Sequence, residues 1–204
     1  MSMRVIAGRF GGRRITVMEA AGLRPATGRV REALFSMLAA REIFFPGARV
    51  LDLFAGAGSV GIEALSRGAG ECVFVEKNPA VARVLRENLR ALGLSPAEAR
   101  VVEADVARAL PRLGQKERPF DLVAVDPPYG FGLVPPTLAA VVAQGLLAPG
   151  GALVAEIEST AALAATDVPA GLELVADRAY GQTRIILWTP CETASPSIPE
   201  PSTP

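Results

Sequence analysis

RVLDLFAGAGSVGIEALSRG, residues 49–68, joins an apolar run to a glycine-rich turn and then to a segment with helical spacing. The run RVLDLF predicts a buried β-strand, and SVGIEALSRG predicts a helix. Gly56, Gly58 and Gly61 between and within them have the Gly-x-Gly-x-x-Gly spacing, which lets a tight turn bring backbone close to a ligand. This order indicates an α/β protein whose first strand–helix loop binds a cofactor.

The rest of the chain continues the alternation of strand and helix patterns. Strand patterns cover residues 71–76, 99–105, 120–126 and 152–158, helix patterns cover 79–93, 106–113 and 136–147, and an antiparallel pair covers 172–188. Continuous apolar strands joined by helical crossovers predict a sheet that is covered on both faces. We therefore predict a Rossmann-like α/β fold with seven mostly parallel strands, the last of them antiparallel.

Basic charge is concentrated at the start of the chain. Residues 1–31 hold seven arginines and one acid, a net charge of +6, whereas the remaining residues sum to −6. This asymmetry predicts a polyanionic partner, and a solvated arm is the alternative. We divide the chain into a basic extension (1–45), made of short strands and a helix, an α/β domain (46–190), and a Pro-, Ser- and Thr-rich tail (191–204) that is expected to be disordered.

The composition excludes several kinds of site. The 204 residues include no histidine, which removes the commonest general base and metal ligand, and only two cysteines, Cys72 and Cys191. We therefore expect no metal, no disulfide and a cytoplasmic location. No apolar run reaches the roughly 18 residues of a membrane span, and the arginine-containing start does not resemble a secretory signal.

Acidic residues near the strand ends suggest which cofactor binds. Glu76 ends the second strand twenty residues after Gly56, where a carboxylate can accept both hydroxyls of a ribose. Asp52, at the end of the first strand, is unhelpful beside a pyrophosphate but suits the ammonium and sulfonium charges of S-adenosylmethionine. Asp105 and the Val106 amide suit an adenine. The predicted cofactor-binding residues are Asp52, Phe54, Ala55, Gly56, Gly58, Glu76, Lys77, Asp105, Val106 and Asp126.

The second motif is FDLVAVDPPYGFG, residues 120–132, where an apolar strand ends in an acid, two prolines and a tyrosine. Pro127 and Pro128 fix their φ angles and lack an N–H, so two carbonyls are held as acceptors. Asp126 adds a carboxylate, and Tyr129 offers a ring on which a base can stack. Such acceptors suit methylation of an amine conjugated to an aromatic ring, because they bind its hydrogens and direct its lone pair at a sulfonium methyl group. These four residues are the predicted catalytic residues, and a purely structural turn is the alternative.

The motifs together resemble known families. LDLFAGAG, Glu76, Asp105 and DPPY look like a class I S-adenosylmethionine-dependent amino-methyltransferase. RVIAGRFGGRRI, GLRPATGRVREALFSML and GIEALSRGA are similar to the bacterial 16S ribosomal RNA guanine-N2-methyltransferase D family, over roughly residues 3–188. The chain departs from that family's pattern at Ala26, Gly28 and Ser36, where the family usually has Thr, Asp and Asn.

The resemblance implies a class I methyltransferase fold and an activity. The expected reaction is methyl transfer from S-adenosylmethionine to the exocyclic N2 of a guanine in 16S rRNA, on the 30S ribosomal subunit, by a monomer. Basic residues of the extension are expected to contact phosphates. They are Arg4, Arg9, Arg13, Arg14, Arg24, Thr27, Arg29 and Arg31.

Three other functions remain open from the sequence. A DNA adenine or other RNA amino-methyltransferase would keep the chemistry and change the substrate. A non-catalytic RNA-binding protein would be expected to carry a broken glycine loop or DPPY motif, and both are intact. An NAD-binding oxidoreductase is disfavoured by Asp52 and by the missing histidine.

Overall fold

The computed structural model describes residues 1–18, 28–43 and 46–191. The chain begins with two short antiparallel strands, β1 (Ser2–Arg4) and β2 (Arg14–Thr16), joined through a 3-10 turn at Gly8–Phe10. Helix α1 (Gly28–Ala39) follows. Apart from Cys191, the predicted tail lies outside the described residues, so its disorder stays a prediction.

A mixed sheet of seven strands forms the centre of the described structure. Its strands are β3 (Arg49–Leu53), β4 (Glu71–Glu76), β5 (Ala99–Glu103), β6 (Phe120–Val125), β7 (Leu147–Glu158), β8 (Leu172–Tyr180) and β9 (Thr183–Pro190). Their spatial order is β5-β4-β3-β6-β7-β9-β8, and β9 runs antiparallel to both of its neighbours. The predicted fold class is confirmed. The order reverses between β3 and β6, and ligands of open α/β sheets bind at such a switch point.

Helices cover both faces of the sheet. The remaining helices are α2 (Ser59–Ser66), α3 (Pro79–Ala91), α4 (Val106–Lys116) and α5 (Val134–Ala143). Buried side chains of α1, α2 and α3 belong to one apolar cluster, and those of α4 and α5 belong to a second cluster across the sheet. Among the described residues, no helix is long and apolar enough to cross a membrane.

Hydrogen bonds join the N-terminal strand pair and the turn after β1 to the helices α2 and α3. The Ile6 amide donates to Glu63 Oε2 at 2.8 Å, and the Thr16 amide donates to Asn88 Oδ1 at 2.8 Å. Glu63 and Asn88 are buried, so each acceptor gains a partner that its burial requires. The domain boundary at residue 45/46 stays a prediction, and the parts on either side of it share one apolar cluster.

The region after α5 differs from the sequence expectation. The helix predicted to continue to the Pro149–Gly151 turn ends at Ala143 instead. Gly145 adopts φ 62°, the left-handed conformation that commonly ends a helix. Strand β7 then begins at Leu147, and its register against β6 shifts between Phe120 and Leu122. Pro149 lies in this irregular part, where a strand tolerates a residue without an N–H.

Candidate active site

Four carboxylates lie at neighbouring strand ends on one face of the sheet. Two residues before each carboxylate lies a side chain of the apolar cluster that packs under α1–α3. Because side chains alternate along a strand, each carboxylate points to the same face as that apolar side chain. They are Asp52 (β3), Glu76 (β4), Asp126 (directly after β6) and Glu156 (β7). The carboxyl edge of the sheet therefore concentrates negative charge at its switch point.

Glu76 holds the glycine loop from the neighbouring strand. Its Oε2 accepts the Gly56 N–H at 3.0 Å, and its Oε1 accepts the Asn78 N–H at 2.8 Å. Its side chain is almost fully buried. Each carboxylate oxygen has further acceptor capacity, which is what a ribose contact requires.

The loop after β3 uses unusual backbone conformations. Phe54 has φ 59°, which is uncommon for a residue with a bulky side chain and marks a constrained loop. Gly58 has φ 86° and precedes α2, and a Cβ there would lie 2.5 Å from Leu85 Cδ1. Phe54, Ala55 and Gly56 line a cavity, whereas Gly58 serves as the helix start that Leu85 packs against.

Asp52 is buried at the end of β3. It is 2% exposed, and its Oδ2 accepts the Gly61 N–H at 2.9 Å. It is not among the residues that line the cavity, and its role toward the cofactor's ammonium or sulfonium charge stays a prediction. Asp52 ties the end of β3 to the first turn of α2 and contributes its charge from behind the loop.

The Asp-Pro-Pro-Tyr motif lines the same cavity as the glycine loop. Pro127 is buried, and Asp126, Pro128 and Tyr129 are half-buried. The Tyr129 hydroxyl lies 3.3 Å from Glu156 Oε1 and 3.3 Å from Thr183 Oγ1. The ring is thus held at its outer end by β7 and β9. Burial raises the pKa of Tyr129 to about 12, so the hydroxyl stays protonated and can donate.

The cavity has a volume of about 1230 Å³. That is larger than the roughly 300–1,000 Å³ of typical small-molecule sites, so it has room for a cofactor and part of a second molecule. Its walls come from residues 54–57 and 126–129, from 158–160 and the turn at 180–183, and from 17–18 and 28–30 of the N-terminal part. Segments from both sides of the predicted domain boundary therefore enclose one space.

The residues predicted to contact adenine are not among those that line this cavity. The exposed Asp105 side chain caps α4, because its Oδ1 accepts the Ala107 N–H at 3.0 Å. Val106 is buried, and Lys77 is exposed after β4. An N-cap can keep a second carboxylate oxygen for a ligand. The adenine contact stays a prediction.

Burial raises the pKa values of carboxylates at this edge of the sheet. It raises the pKa of Asp52 to about 7 and the pKa of Glu156 to about 6. Burial, and then the charges of Glu156 and Asp52, also hold the pKa of Asp126 well above its usual range. A cation that entered the cavity would favour the ionised forms and lower these pKa values. The edge is therefore suited to a positively charged ligand.

Most of the predicted phosphate-binding arginines are exposed, as an RNA contact requires. The Arg9 guanidinium pairs with Glu98 at 2.8 Å, and Arg29 lines the cavity. The exposed members are Arg4, Arg9, Arg13, Arg14 and Arg29. Arg24 and Thr27 lie outside the described residues. Phosphate binding by the exposed arginines stays a prediction.

The structure corrects the role expected of Arg31. It is 3% exposed on α1, and its guanidinium donates to the Arg4 carbonyl at 2.8 Å. Its position next to buried Val30, and four residues before buried Phe35, turns it toward the core. The prediction that it contacts phosphate is wrong, because a group this buried is not accessible to RNA. It faces Glu63 and Glu156 instead.

Sequence reasoning missed Glu156 and the turn between β8 and β9. Glu156 is 8% exposed and lines the cavity, as does Thr183 at the turn. A signal was present for Glu156, since it is an acid inside the apolar run ALVAEIE, as Asp52 is inside RVLDLF. The turn has no comparable signal, because only the sheet order brings it beside β7.

The sheet order, together with the glycine loop after β3 and the Asp-Pro-Pro-Tyr motif after the adjacent strand β6, defines a class I methyltransferase fold. A family model described as "Conserved hypothetical protein 95" matches residues 3–189. The chain belongs to this family, which is the 16S rRNA methyltransferase D family that its motifs resemble.

Relatives match over most of their length. The "Ribosomal RNA small subunit methyltransferase D" of Escherichia coli (strain K12) is 38% identical over 186 residues, covering 91% of this chain and 89% of that protein. The protein of the same name from Haemophilus influenzae is 36% identical over 76% of this chain and 79% of its own length. The solved structure "Putative methyltransferase yhhF from Escherichia coli" has a TM-score of 0.78 and 37% identity, covering 93% of this chain and 98% of its own.

Proposed function

We propose that this chain transfers a methyl group from S-adenosylmethionine to the exocyclic N2 amine of a guanine in 16S rRNA, on 30S subunits or their assembly intermediates. The observation that carries the proposal is that the glycine loop at Gly56 and the acceptors Asp126 and Pro127 line one cavity. A donor and an amine bound to these two sites would meet inside it. The names of the Escherichia coli and Haemophilus influenzae relatives support an rRNA substrate.

The residues around the glycine loop after β3 fit S-adenosylmethionine. The carboxylate-rich edge suits the cofactor's ammonium and sulfonium charges, because buried carboxylates with raised pKa values gain from a nearby cation. In this proposal Gly56 lets the backbone approach closely, Glu76 would accept the ribose hydroxyls, and Asp105 and the Val106 amide would bind the adenine. When bound, the cofactor supplies an electrophilic methyl group on a sulfonium sulfur.

The residues of the Asp-Pro-Pro-Tyr motif fit an aromatic amine. The Asp126 carboxylate and the Pro127 carbonyl accept the amine hydrogens, which favours a pyramidal nitrogen with its lone pair free for attack. Positive charge develops on that nitrogen during transfer, so fixed acceptors stabilise the transition state more than the ground state. The Tyr129 ring, with its hydroxyl held by Glu156 and Thr183, offers a flat surface for the base.

The N-terminal part fits an RNA substrate. Exposed arginines lie on it, and Arg29 lies at the cavity wall itself. Arginine contacts to phosphate fix the position of a nucleic acid without reading its sequence. A guanine in a helix or hairpin would be flipped out of its stack to reach Asp126.

Methyl transfer to ribosomal particles tests this proposal. The protein is incubated with methyl-labelled S-adenosylmethionine and 30S particles from a strain that lacks the corresponding gene, and the rRNA is digested to nucleosides. We expect label in N2-methylguanosine. Label on adenosine or on ribosomal protein instead would overturn the substrate assignment, and no transfer to any component would overturn the activity.

A further inference from the structure

Asp126 and Glu156 follow the last paired residues of two neighbouring parallel strands. Val125, the last residue of β6, pairs with Ala155 of β7, so Asp126 comes directly after β6 and Glu156 is the next residue of β7. Neighbouring strands lie about 4.8 Å apart, and residues in register on parallel strands point to the same face. Both side chains line the cavity, and Glu156 is 8% exposed. Ionisation of both would place two negative charges together in a poorly hydrated site.

The groups packed around this pair do not cancel its charge. Tyr129 donates to Glu156 Oε1 at 3.3 Å, and its hydroxyl also contacts Thr183 of β9. Among the described residues, Arg31 of α1 is the cation that acts on Glu156, and it is shared with Glu63. Asp52 of β3 adds a negative charge beside Asp126. Burial raises the pKa of both acids, and the charges of Glu156 and Asp52 raise that of Asp126 further, whereas Tyr129, Thr183 and Arg31 oppose the rise at Glu156.

We propose that Asp126 and Glu156 share one proton and act together as the acceptor for the proton that leaves the target amine. The pairing rests on the geometry, and its role as acceptor rests on the proposed function. Two carboxylates that share a site in this way titrate as a unit and hold one proton over a wide pH range. Asp126 touches the amine, and Glu156 is a positioning residue that acts through Asp126.

The step moves one methyl group and one proton. The nitrogen lone pair forms the N–C bond while the C–S bond breaks, and the electron pair of that bond stays on sulfur. The nitrogen then carries a positive charge and two hydrogens. One N–H bond breaks, its electrons return to nitrogen, and its proton passes to Asp126. The pair, now holding two protons, releases one to water in the open cavity.

Titration of the carboxyl groups tests the pair without any activity assay. The full chain, labelled with ¹³C at the Asp and Glu carboxyls, is titrated by NMR. We expect Asp126 to titrate in two steps, the upper one above its ordinary range. In Glu156→Gln we expect one step, with the upper midpoint lowered by about one pH unit or more, the coupling at which paired groups titrate together. Gln keeps an oxygen for Tyr129, so a merely structural role of Glu156 would leave the Asp126 titration unmoved.

Glu158→Gln is the matched control, because Glu158 lies two residues further on β7 and also lines the cavity. It should leave the Asp126 titration unchanged. An Asp126 titration that is the same in Glu156→Gln as in the wild type would overturn the pair. If Glu156→Gln does not fold, a single wild-type step in the ordinary aspartate range would overturn it equally.

Kinetics then test the role of the pair as proton acceptor. We expect Glu156→Gln to lower kcat for methyl transfer by about 10²-fold, at the lower end of acid–base contributions, with a much smaller change in KM. An unchanged kcat and pH profile would overturn this role. Absence of transfer by the wild-type protein would instead overturn the proposed function, while the titration would still decide whether the two carboxyls share a proton.

Discussion

The Glu76 carboxylate accepts the backbone N–H of Gly56 at 3.0 Å, so the end of β4 holds the loop that follows β3. The same carboxylate accepts the Asn78 N–H, which starts the turn into α3. One buried side chain thus sets the backbone of two loops at the switch point of the sheet. A loop fixed before a ligand arrives loses less entropy on binding.

Glu76→Ala should weaken binding of S-adenosylmethionine by about tenfold or more. It removes charge-assisted hydrogen bonds, each of which contributes about 1.5–3 kcal/mol, from the loop and from the expected ribose contact. Calorimetric titration measures the dissociation constant. Glu71→Ala, at the opposite end of the same strand, should leave the constant unchanged. Equal affinity of the wild type and Glu76→Ala would contradict the role given to Glu76.

Gly58→Ala should destabilise the fold more than Gly93→Ala does. Both glycines have left-handed φ angles, 86° and 75°, so both substitutions carry a backbone strain of about 1–3 kcal/mol. Only the Cβ at position 58 would also meet a side chain, Leu85 Cδ1 at 2.5 Å, whereas nothing lies within 4 Å at position 93. Urea unfolding measures both free energies. Equal losses would mean that Leu85 moves aside at no cost.

Asp52→Asn should change how stability depends on pH. The pKa of Asp52 is about 7 in the folded protein, above the ordinary value of about 4. The folded state therefore binds more protons than the unfolded state between about pH 4 and pH 7. The wild type should lose stability relative to Asp52→Asn as pH rises through this window, by at most about 1.4 kcal/mol per pH unit.

Urea unfolding at several pH values measures that difference. Asn keeps an oxygen for the Gly61 N–H, so the comparison isolates the ionisation. Asp177→Asn is a control of opposite sign, because the Arg184 hydrogen bond lowers the pKa of Asp177. There the wild type should lose stability relative to the variant as pH falls below about 4. A pH-independent difference for Asp52→Asn would refute the raised pKa.

Arg29→Ala should weaken binding of rRNA and reduce its salt dependence. Arg29 is exposed at the cavity wall, and each lost phosphate contact lowers the slope of log K against log salt by about 0.7–0.9. Filter binding over a salt series measures the slope. Arg112→Ala, on α4 across the sheet, removes the same charge and should leave the slope unchanged. Identical slopes for the two variants would place the RNA elsewhere.

The sequence predicted the fold well, because both of its signals are local. RVLDLFAGAG and FDLVAVDPPY each contain a strand and the turn that ends it, and adjacent parallel strands bring the two turns together. The end of α5 was missed because Gly145 sits inside an apolar run, AQGLL, that continues the helical spacing. The left-handed conformation of Gly145 ends α5 there, and strand β7 begins two residues later.

The site was predicted less completely, because burial depends on tertiary packing. Arg31 was assigned to phosphate with the other arginines of the basic extension, as the family resemblance implied, although its helical spacing to Phe35 places it on the packed face of α1. Asp52 was expected to bind the cofactor, whereas the structure shows it buried and accepting the Gly61 N–H from the first turn of α2. Thr183 reaches the cavity through the pairing of β7 with β9, which no local pattern predicts, whereas the acid inside ALVAEIE was a local signal for Glu156.

The effect of Asp126→Ala on two constants tests the central claim most directly. If Asp126 orients the amine opposite a donor held at Gly56, the variant should lose methyl transfer to 30S particles by about 10²-fold or more, as the loss of a fixed transition-state acceptor predicts. Its calorimetric affinity for S-adenosylmethionine should fall far less. Equal loss of transfer and of cofactor affinity would contradict the account, because Asp126 would then serve cofactor binding alone.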